Sequence, residues 1–254
     1  MAILRRMFSA FAIAALLTAS QATAAELTIY SGGGVQTGLS ETVKLYEKGG
    51  SAKVSLTFMP MGPLTQRLAD GLASDIVIVP QAMMDKAVGA GVVEKDTVVD
   101  VGRLAIGVAV NASAPAPDIS TPKAFKQALL SAQSIVYVDP ARGTSGVHVA
   151  KVLERLGIAE AVKAKTTLGE GGYVVAPVGR GEIELGILQI TEILPVPGVK
   201  LVGPLPPELQ SETLYQGAVM ATSSRKTEAR DFLAFIRSPD IRKMFASKGF
   251  IETP

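Results

Sequence analysis

Residues 27–35 read LTIYSGGGV, a short β-prone run that ends in three glycines. Apolar residues then recur at helical spacing up to the glycine pair at 49–50, at Val35, Leu39, Val43 and Tyr46. This pattern predicts a strand, a glycine loop and a helix in direct succession.

The same order repeats twice along the chain. Strands are predicted at 54–58 and at the fully apolar run 76–79, and each is followed by a helical pattern, at 64–72 and at 82–88. Strands that alternate with helices in this way form a parallel sheet with right-handed crossovers. An apolar run at 103–110 predicts a further strand of this unit.

A second unit of similar composition follows. Strands are predicted at 135–138 and 185–188 and a helix at 144–156. The stretches rich in Pro, at 111–122 and 196–207, predict a crossing loop and a surface connection. Beyond them we expect a strand at 218–222 that returns to the first unit and a helix at 227–245.

The sequence therefore predicts an α/β protein with two lobes, each a mostly parallel sheet flanked by helices, and a cleft between them. The first lobe is expected to comprise residues 25–110 and 217–254, and the second lobe residues 111–216. Ligands of open α/β sheets bind at the carboxyl ends of the strands, so we expect the functional site in the cleft.

Residues 1–24 have the pattern of a secretory signal peptide. Arg5 and Arg6 precede a short apolar run at 10–17, and Ala22-Thr23-Ala24 forms an Ala-x-Ala cleavage site. The apolar run is too short to span a bilayer, so we expect export to the periplasm with cleavage near Ala24 and no stable membrane insertion. The two arginines account for the whole formal charge of +2, so the sequence from Ala25 onward is formally neutral.

The chain has no cysteine and one histidine, His148. These counts exclude disulfides, thiolate nucleophiles and metal sites built from cysteine or from several histidines, so we expect a site that needs no metal or cofactor. Few aromatic residues, 5% of the chain, and no basic run argue against a nucleic-acid partner.

Glycine-rich loops that lead into helices indicate an anion site. Free N–H groups and the positive end of a helix would meet a ligand at Gly33-Gly34, at Thr144-Ser145-Gly146 and at Gly172. The alternative is that these glycines only permit tight turns, and that Thr144 and Ser145 only form the start of a helix.

Three charged or titratable side chains accompany the second of these loops. Arg142 could hold a carboxylate bidentately, and His148 or Glu170 could transfer a proton. Each has an ordinary alternative: Arg142 and Glu170 as solvated loop residues, and His148 as a packed helix residue.

A series of short segments, taken in order, resembles the molybdate-binding periplasmic proteins, which have the type II solute-binding fold. The resemblance covers nearly the whole chain after the leader and is carried by Ser31-Gly32-Gly33-Gly34-Val35, Met61-Gly62-Pro63-Leu64, Asp75-Ile76-Val77-Ile78, the loop from Asp139-Pro140 to Gly146, Leu185-Gly186-Ile187 and Lys248-Gly249-Phe250.

The resemblance implies the fold but not the ligand molybdate. In that family the oxyanion is held by a serine in each of the first two loops, by main-chain N–H groups and by a tyrosine near the last strand of the second lobe. Those side-chain positions match Gly34, Gly62 and Gln189 here, and Pro80, after the third strand, has no N–H group. A cleft without these donors suits a larger anion than molybdate.

Two functions fit this site. Exported aconitate isomerases are similar to molybdate-binding proteins, and this sequence resembles them, which implies a cofactor-free 1,3-proton shift between trans- and cis-aconitate. Arg142 and the glycine loops would then hold the carboxylates, and His148 or Glu170 would move the proton. The alternative is a receptor that delivers an organic acid or oxyanion to an ABC permease.

Overall fold

The computed structural model describes residues 26–50 and 52–251 as two lobes, each built on a five-stranded sheet. The predicted signal peptide, residues 1–24, lies outside this part of the chain. The described strands are, in chain order, β1 (Glu26–Gly32), β2 (Lys53–Met59), β3 (Ile76–Pro80), β4 (Val99–Leu104), β5 (Ile106–Asn111), β6 (Ile135–Val138), β7 (Thr166–Gly169), β8 (Leu185–Gln189), β9 (Val199–Pro204) and β10 (Thr213–Val219).

Helices flank both sheets. Those in the described residues are α1 (Gln36–Lys48), α2 (Met61–Ala69), α3 (Gln81–Gly89), α4 (Pro122–Ser131), α5 (Thr144–Arg155), α6 (Ala159–Lys163), α7 (Ala176–Gly179), α8 (Ile190–Ile193), α9 (Lys226–Ile236) and α10 (Pro239–Ser247). Within the described ranges, none of these helices combines the length and the apolar character needed to cross a membrane.

The two sheets have the same design. The strand order is β2-β1-β3-β10-β4 in the first lobe and β7-β6-β8-β5-β9 in the second. One strand in each sheet, β10 or β5, runs against the other four. Each of these two strands is the first that the chain forms after it crosses from the other lobe. The predicted two-lobed α/β architecture with mostly parallel sheets is confirmed.

The chain crosses between the lobes at Ala105, between β4 and β5, and returns through residues 205–212. These points differ from the predicted boundaries at 110 and 216. The apolar run at 103–110 is two strands in two sheets, and apolar periodicity does not reveal which sheet a strand joins. The stretch at 111–122, predicted to cross between lobes, instead connects β5 to α4 within the second lobe.

Two other predictions need correction because of proline. The predicted surface connection at 196–207 contains β9, which is an edge strand and can end at Pro204 without breaking a ladder. The single helix predicted at 227–245 is two helices, α9 and α10. Pro239 begins α10, because it lacks the N–H group that would continue α9.

Each lobe has its own hydrophobic core. In the first, Leu27 and Ile29 of β1 are fully buried against aromatic side chains of α9 and α10, among them Phe232 and Phe245. In the second, residues of β6 and β8 pack on α4 and α5 around the buried Phe125. The cleft therefore lies between two separately packed units.

Asp75, which precedes β3, forms hydrogen bonds that connect the start of β3 to β1 and to the segment that follows β10. Its Oδ2 accepts hydrogen bonds from the Thr28 main-chain N, at 2.9 Å, and from Thr28 Oγ1, at 3.0 Å. Its Oδ1 accepts one from Ser223 Oγ at 2.7 Å. Burial opposes ionisation of Asp75, but these hydrogen bonds outweigh it and lower its pKa. Asp75 therefore stabilises the pairing of β1 and β3.

We expect Asp75→Ala to lower the free energy of unfolding by about 3 kcal/mol, because the half-buried Thr28 and the buried Ser223 donors lose a charged acceptor. Urea denaturation followed by circular dichroism measures this loss. Asp70→Ala is the matched control, since the Asp70 carboxylate accepts only an exposed bond from Gln66. Equal effects of the two substitutions would contradict the role given to Asp75.

Candidate functional site

A cleft of about 340 Å³ lies between the lobes, where the carboxyl ends of β1, β2, β6, β7 and β8 meet. The first lobe contributes the loop at Gly33 and Gly34 and the segment from Phe58 to Met61. The second lobe contributes the loop between β6 and α5 and the segment from Glu170 to Gly172. The volume of the cleft lies in the range of about 300 to 1,000 Å³ that is typical of small-molecule sites.

The loop between β6 and α5 supplies the cationic side of the cleft. Gly143 is the N-cap of α5, and no side chain caps this helix. The hydroxyls of Thr144 and Ser145, which line the cleft, are therefore not used for capping, and the N–H groups of the first turn have no intrahelical partner. This end of α5 can donate hydrogen bonds to an anion.

Arg142 lies at the mouth of the cleft and pairs with Glu170. The distance from Arg142 Nη2 to Glu170 Oε1 is 3.3 Å, and the two side chains are 42% and 82% exposed. An ion pair so open to water contributes little to stability, so a ligand carboxylate can replace Glu170 at small cost. Arg142 is thus available to an anion in the cleft.

Gln189 explains why the position that matches the family's first serine is a glycine. A Cβ at Gly34 would overlap the Gln189 amide oxygen and lie 2.8 Å from Leu104 Cδ1. The Gln189 side chain is buried and occupies the space that a side chain at position 34 would need. In this conformation, the Gln189 side chain therefore requires a glycine at position 34.

Glu192 is a buried carboxyl group on the wall of the cleft. It lies in α8, directly after β8, with 7% of its surface exposed, and a Cβ at Gly33 would be 3.3 Å from its Oε1. Among residues 26–50 and 52–251, no group forms a hydrogen bond or ion pair with its carboxyl group. Burial raises the pKa of Glu192 to about 8.

Two tyrosines accompany Glu192. Burial, together with the nearby Glu192 carboxyl, raises the pKa of both Tyr215 and Tyr173. Tyr215 also lines the cleft, and its hydroxyl interacts with the side chain of Gln189. Both phenols stay protonated at neutral pH, so Tyr215 can donate a hydrogen bond into the cleft.

Most of the residues chosen from the sequence line the cleft together: Gly33, Gly34, Arg142, Thr144, Ser145, Glu170, Gly172 and Gln189. Three others do not. Gly62 lies where the lobes approach, since its Cβ would be 3.5 Å from the Ala141 carbonyl oxygen. Gly146 has a packing role, because a Cβ there would overlap the Val138 carbonyl oxygen.

His148, the third, is turned away from the cleft. Its Nε2 lies 2.7 Å from the Leu209 carbonyl oxygen, in the segment that returns to the first lobe. The expectation that its ring reaches the mouth of the loop fails because residues 205–212 pack on that side of α5. The apolar periodicity of α5 does not show that a segment distant in the sequence packs against this side of the helix.

Glu192 and Tyr215 are the cleft residues that sequence reasoning missed. A signal for Glu192 existed: Gln189 ends the buried strand β8, and the polar residues Thr191 and Glu192 follow it closely. Tyr215 was missed because the strand was predicted to begin at 218. Over the described ranges, no group of three or more acidic, His or Cys side chains is placed to hold a metal ion.

Comparison with known proteins places these features in context. A family model described as bacterial extracellular solute-binding protein matches residues 27–251. An aconitate isomerase of a Pseudomonas species is 37% identical over 254 aligned residues, which cover 96% of both chains. The molybdate-binding protein ModA of Escherichia coli is 24% identical and covers 97% of this chain and 98% of its own.

Solved structures agree on the fold. The periplasmic molybdate-binding protein of Azotobacter vinelandii superimposes with a TM-score of 0.76 at 14% identity, over 90% of this chain and all of its own. The predicted resemblance to molybdate-binding-like proteins and the type II fold are confirmed.

The raised pKa of Glu192 predicts a loss of stability with rising pH. Between about pH 4.5 and 8 the carboxyl group ionises in the unfolded chain but stays protonated in the folded one, so unfolding is increasingly favoured as pH rises. The contribution is up to about 1.4 kcal/mol per pH unit. Glu192→Gln should remove it, which urea denaturation at about pH 5 and about pH 8 measures. Parallel pH dependences of the two proteins would contradict the burial of this acid.

Proposed function

Since this chain belongs to the bacterial extracellular solute-binding protein family, we propose that it is an enzyme of that family which isomerises trans-aconitate to cis-aconitate. The main support is its 37% identity, over 96% of both chains, to an aconitate isomerase. The geometry of the cleft supports the same function.

The cleft suits a polycarboxylate better than a tetrahedral oxyanion. The positions that correspond to the serines of molybdate-binding proteins are Gly34 and Gly62, and Gln189 leaves no room for a side chain at 34. A guanidinium group and the N–H groups of α5 remain as donors. Arg142 can hold one carboxylate bidentately and the first turn of α5 a second. Gly172, two residues after Glu170, also lines the cleft and exposes its main chain to a ligand.

The isomerisation requires little beyond what the cleft contains. A base takes a proton from the methylene carbon of trans-aconitate, the electrons shift through the three-carbon unit, and an acid returns a proton to the former vinylic carbon. No oxidant, nucleophile or net change of protons is involved. The protein has only to hold the carboxylates, supply one group that accepts and returns a proton, and stabilise the dienolate that forms between the two steps.

The structural observation that supports the proposal most is that a single cleft combines a cationic loop with carboxyl side chains that face the same space. A receptor for anions does not require a titratable carboxyl group in its binding site. A proton-transfer enzyme needs such a group. Of the acid-base candidates, Glu170 and Glu192 line the cleft, and His148 does not.

The alternative function is that of a receptor which delivers an organic acid or oxyanion to an ABC permease. The family and the similarity to a molybdate-binding protein favour it. A receptor would bind trans-aconitate or another anion tightly and release it unchanged. Turnover separates the two functions.

We expect the purified protein, without added metal or cofactor, to convert trans-aconitate to cis-aconitate until the two isomers reach equilibrium. Chromatography of the reaction mixture measures both isomers. Saturable binding of trans-aconitate or molybdate by calorimetry, with no isomer formed, would support the receptor instead.

Arg142→Gln should raise KM for trans-aconitate about 10- to 100-fold, the equivalent of one charged hydrogen-bonded contact. Initial rates over a range of substrate concentrations give this value. Arg180→Gln is the control, because Arg180 pairs with Glu182 on the surface and does not line the cleft. An unchanged KM for Arg142→Gln would remove Arg142 from the binding site.

A further inference from the structure

We propose that Glu192 is the catalytic residue that carries the proton between the two carbons of the substrate, an assignment that rests on the isomerase function proposed above. One carboxyl group would act as base in the first step and as acid in the second.

The position of Glu192 is set by the fold. β8 is buried along its whole length and ends at Gln189, and α8 begins at once, so residue 192 lies at the carboxyl end of a central strand. The loop after β1 covers it from the other lobe, as the distance of 3.3 Å from a Cβ at Gly33 to Glu192 Oε1 shows. Glu192 is therefore held between the lobes at the inner end of the cleft.

The surroundings leave the carboxyl group free to react. It is 7% exposed and lines the cleft, and no hydrogen-bond or ionic partner occurs among the residues that the structure describes. Buried polar groups in proteins are normally hydrogen bonded. An unpaired carboxyl group that faces a ligand cleft is instead available to a bound molecule.

The other acid-base groups are less suited to this step. Glu170 is 82% exposed, and its Oε1 lies 3.3 Å from Arg142 Nη2. His148 makes its contact at 2.7 Å with the Leu209 carbonyl oxygen and does not line the cleft. Glu192 alone of the three is both enclosed and unpaired.

Burial also adjusts the acidity of Glu192 to its task. Its pKa of about 8 makes the carboxylate a stronger base than an ordinary glutamate and leaves the protonated form abundant at neutral pH. A group that must take a proton from carbon and return it works best with a pKa near the working pH. In the free protein the neutral form also avoids repulsion of an anionic ligand.

The proton transfer balances within the substrate and one side chain. The C–H bond at the methylene carbon breaks as an O–H bond forms on Glu192, and the electron pair spreads through the three-carbon unit into the attached carboxylate. The O–H bond then breaks as a C–H bond forms at the far carbon, and the double bond has moved. Glu192 ends as the carboxylate with which it began, so no co-reactant is needed.

Tyr215 is placed to assist as a hydrogen-bond donor. Its phenol lines the same cleft, and the raised pKa keeps it protonated while negative charge develops on the dienolate.

The pH response of Glu192 depends on the groups that face it. Tyr215 and Tyr173 interact with it electrostatically, and Arg142 and Glu170 share the cleft with it.

The test compares the wild-type protein with Glu192→Gln and, as the matched control, with Glu160→Gln, whose side chain is 88% exposed in the second lobe. We expect Glu192→Gln to lower kcat by at least about 100-fold, the usual contribution of a positioned base. Calorimetry should show that it still binds trans-aconitate, and its melting temperature should be no lower than that of the wild type. Glu160→Gln should keep full activity.

The outcomes separate this inference from the proposed function. Turnover by Glu192→Gln at the wild-type rate would overturn the role of Glu192 and leave the isomerase function intact. Binding without turnover by the wild type itself would overturn both.

A pH profile of the wild type tests the assignment without any substitution. We expect kcat/KM to rise with pH and to level off above an apparent pKa near 8, because only the ionised Glu192 accepts the proton. The carboxyl groups of the substrate titrate at lower pH and cannot produce an apparent pKa near 8. A flat profile between about pH 6.5 and 9 would overturn the assignment.

Discussion

The close approach of two loops across the lobes is the contact on which the site depends. Thr191 Oγ1 of the second lobe donates a hydrogen bond of 2.7 Å to the Gly34 carbonyl oxygen of the first. The loop after β1 can come this near only because position 34 has no side chain, since the Gln189 amide fills that space. The same contact brings Gly33 close to Glu192, which is 7% exposed on the wall of the cleft.

Local donors, and not the overall charge, attract the anion in this account. The sequence after the predicted leader is formally neutral. The positive potential in the cleft comes from Arg142 and from the first turn of α5 at its mouth, while the inner end holds a carboxyl group that burial keeps mostly neutral. This separation allows one cleft to bind carboxylates and to keep an acid-base group beside them.

Much of the fold could be predicted from the sequence, because buried strands and helical spacing are local patterns. Such local patterns predicted β1 with its glycine loop and the loop between β6 and α5 that contains Arg142. The lobe crossing at Ala105 and the edge strand β9 could not be predicted, since they depend on which sheet a strand joins. The cleft position of Glu192 and the direction of His148 could not be predicted for a related reason: both are set by segments distant in the sequence.

The most direct measurement of the central claim follows a deuterium label from one carbon to the other. Trans-aconitate deuterated at its methylene carbon is converted in ordinary water, and the cis-aconitate formed is analysed by NMR. If an enclosed carboxyl group carries the proton, part of the deuterium will appear at the new methylene carbon, because a side chain with 7% exposure exchanges slowly with water. Cis-aconitate with deuterium only at its vinylic carbon and none at its new methylene carbon would show that a solvent-exposed group transfers the proton, and would contradict a role for an enclosed carboxyl group.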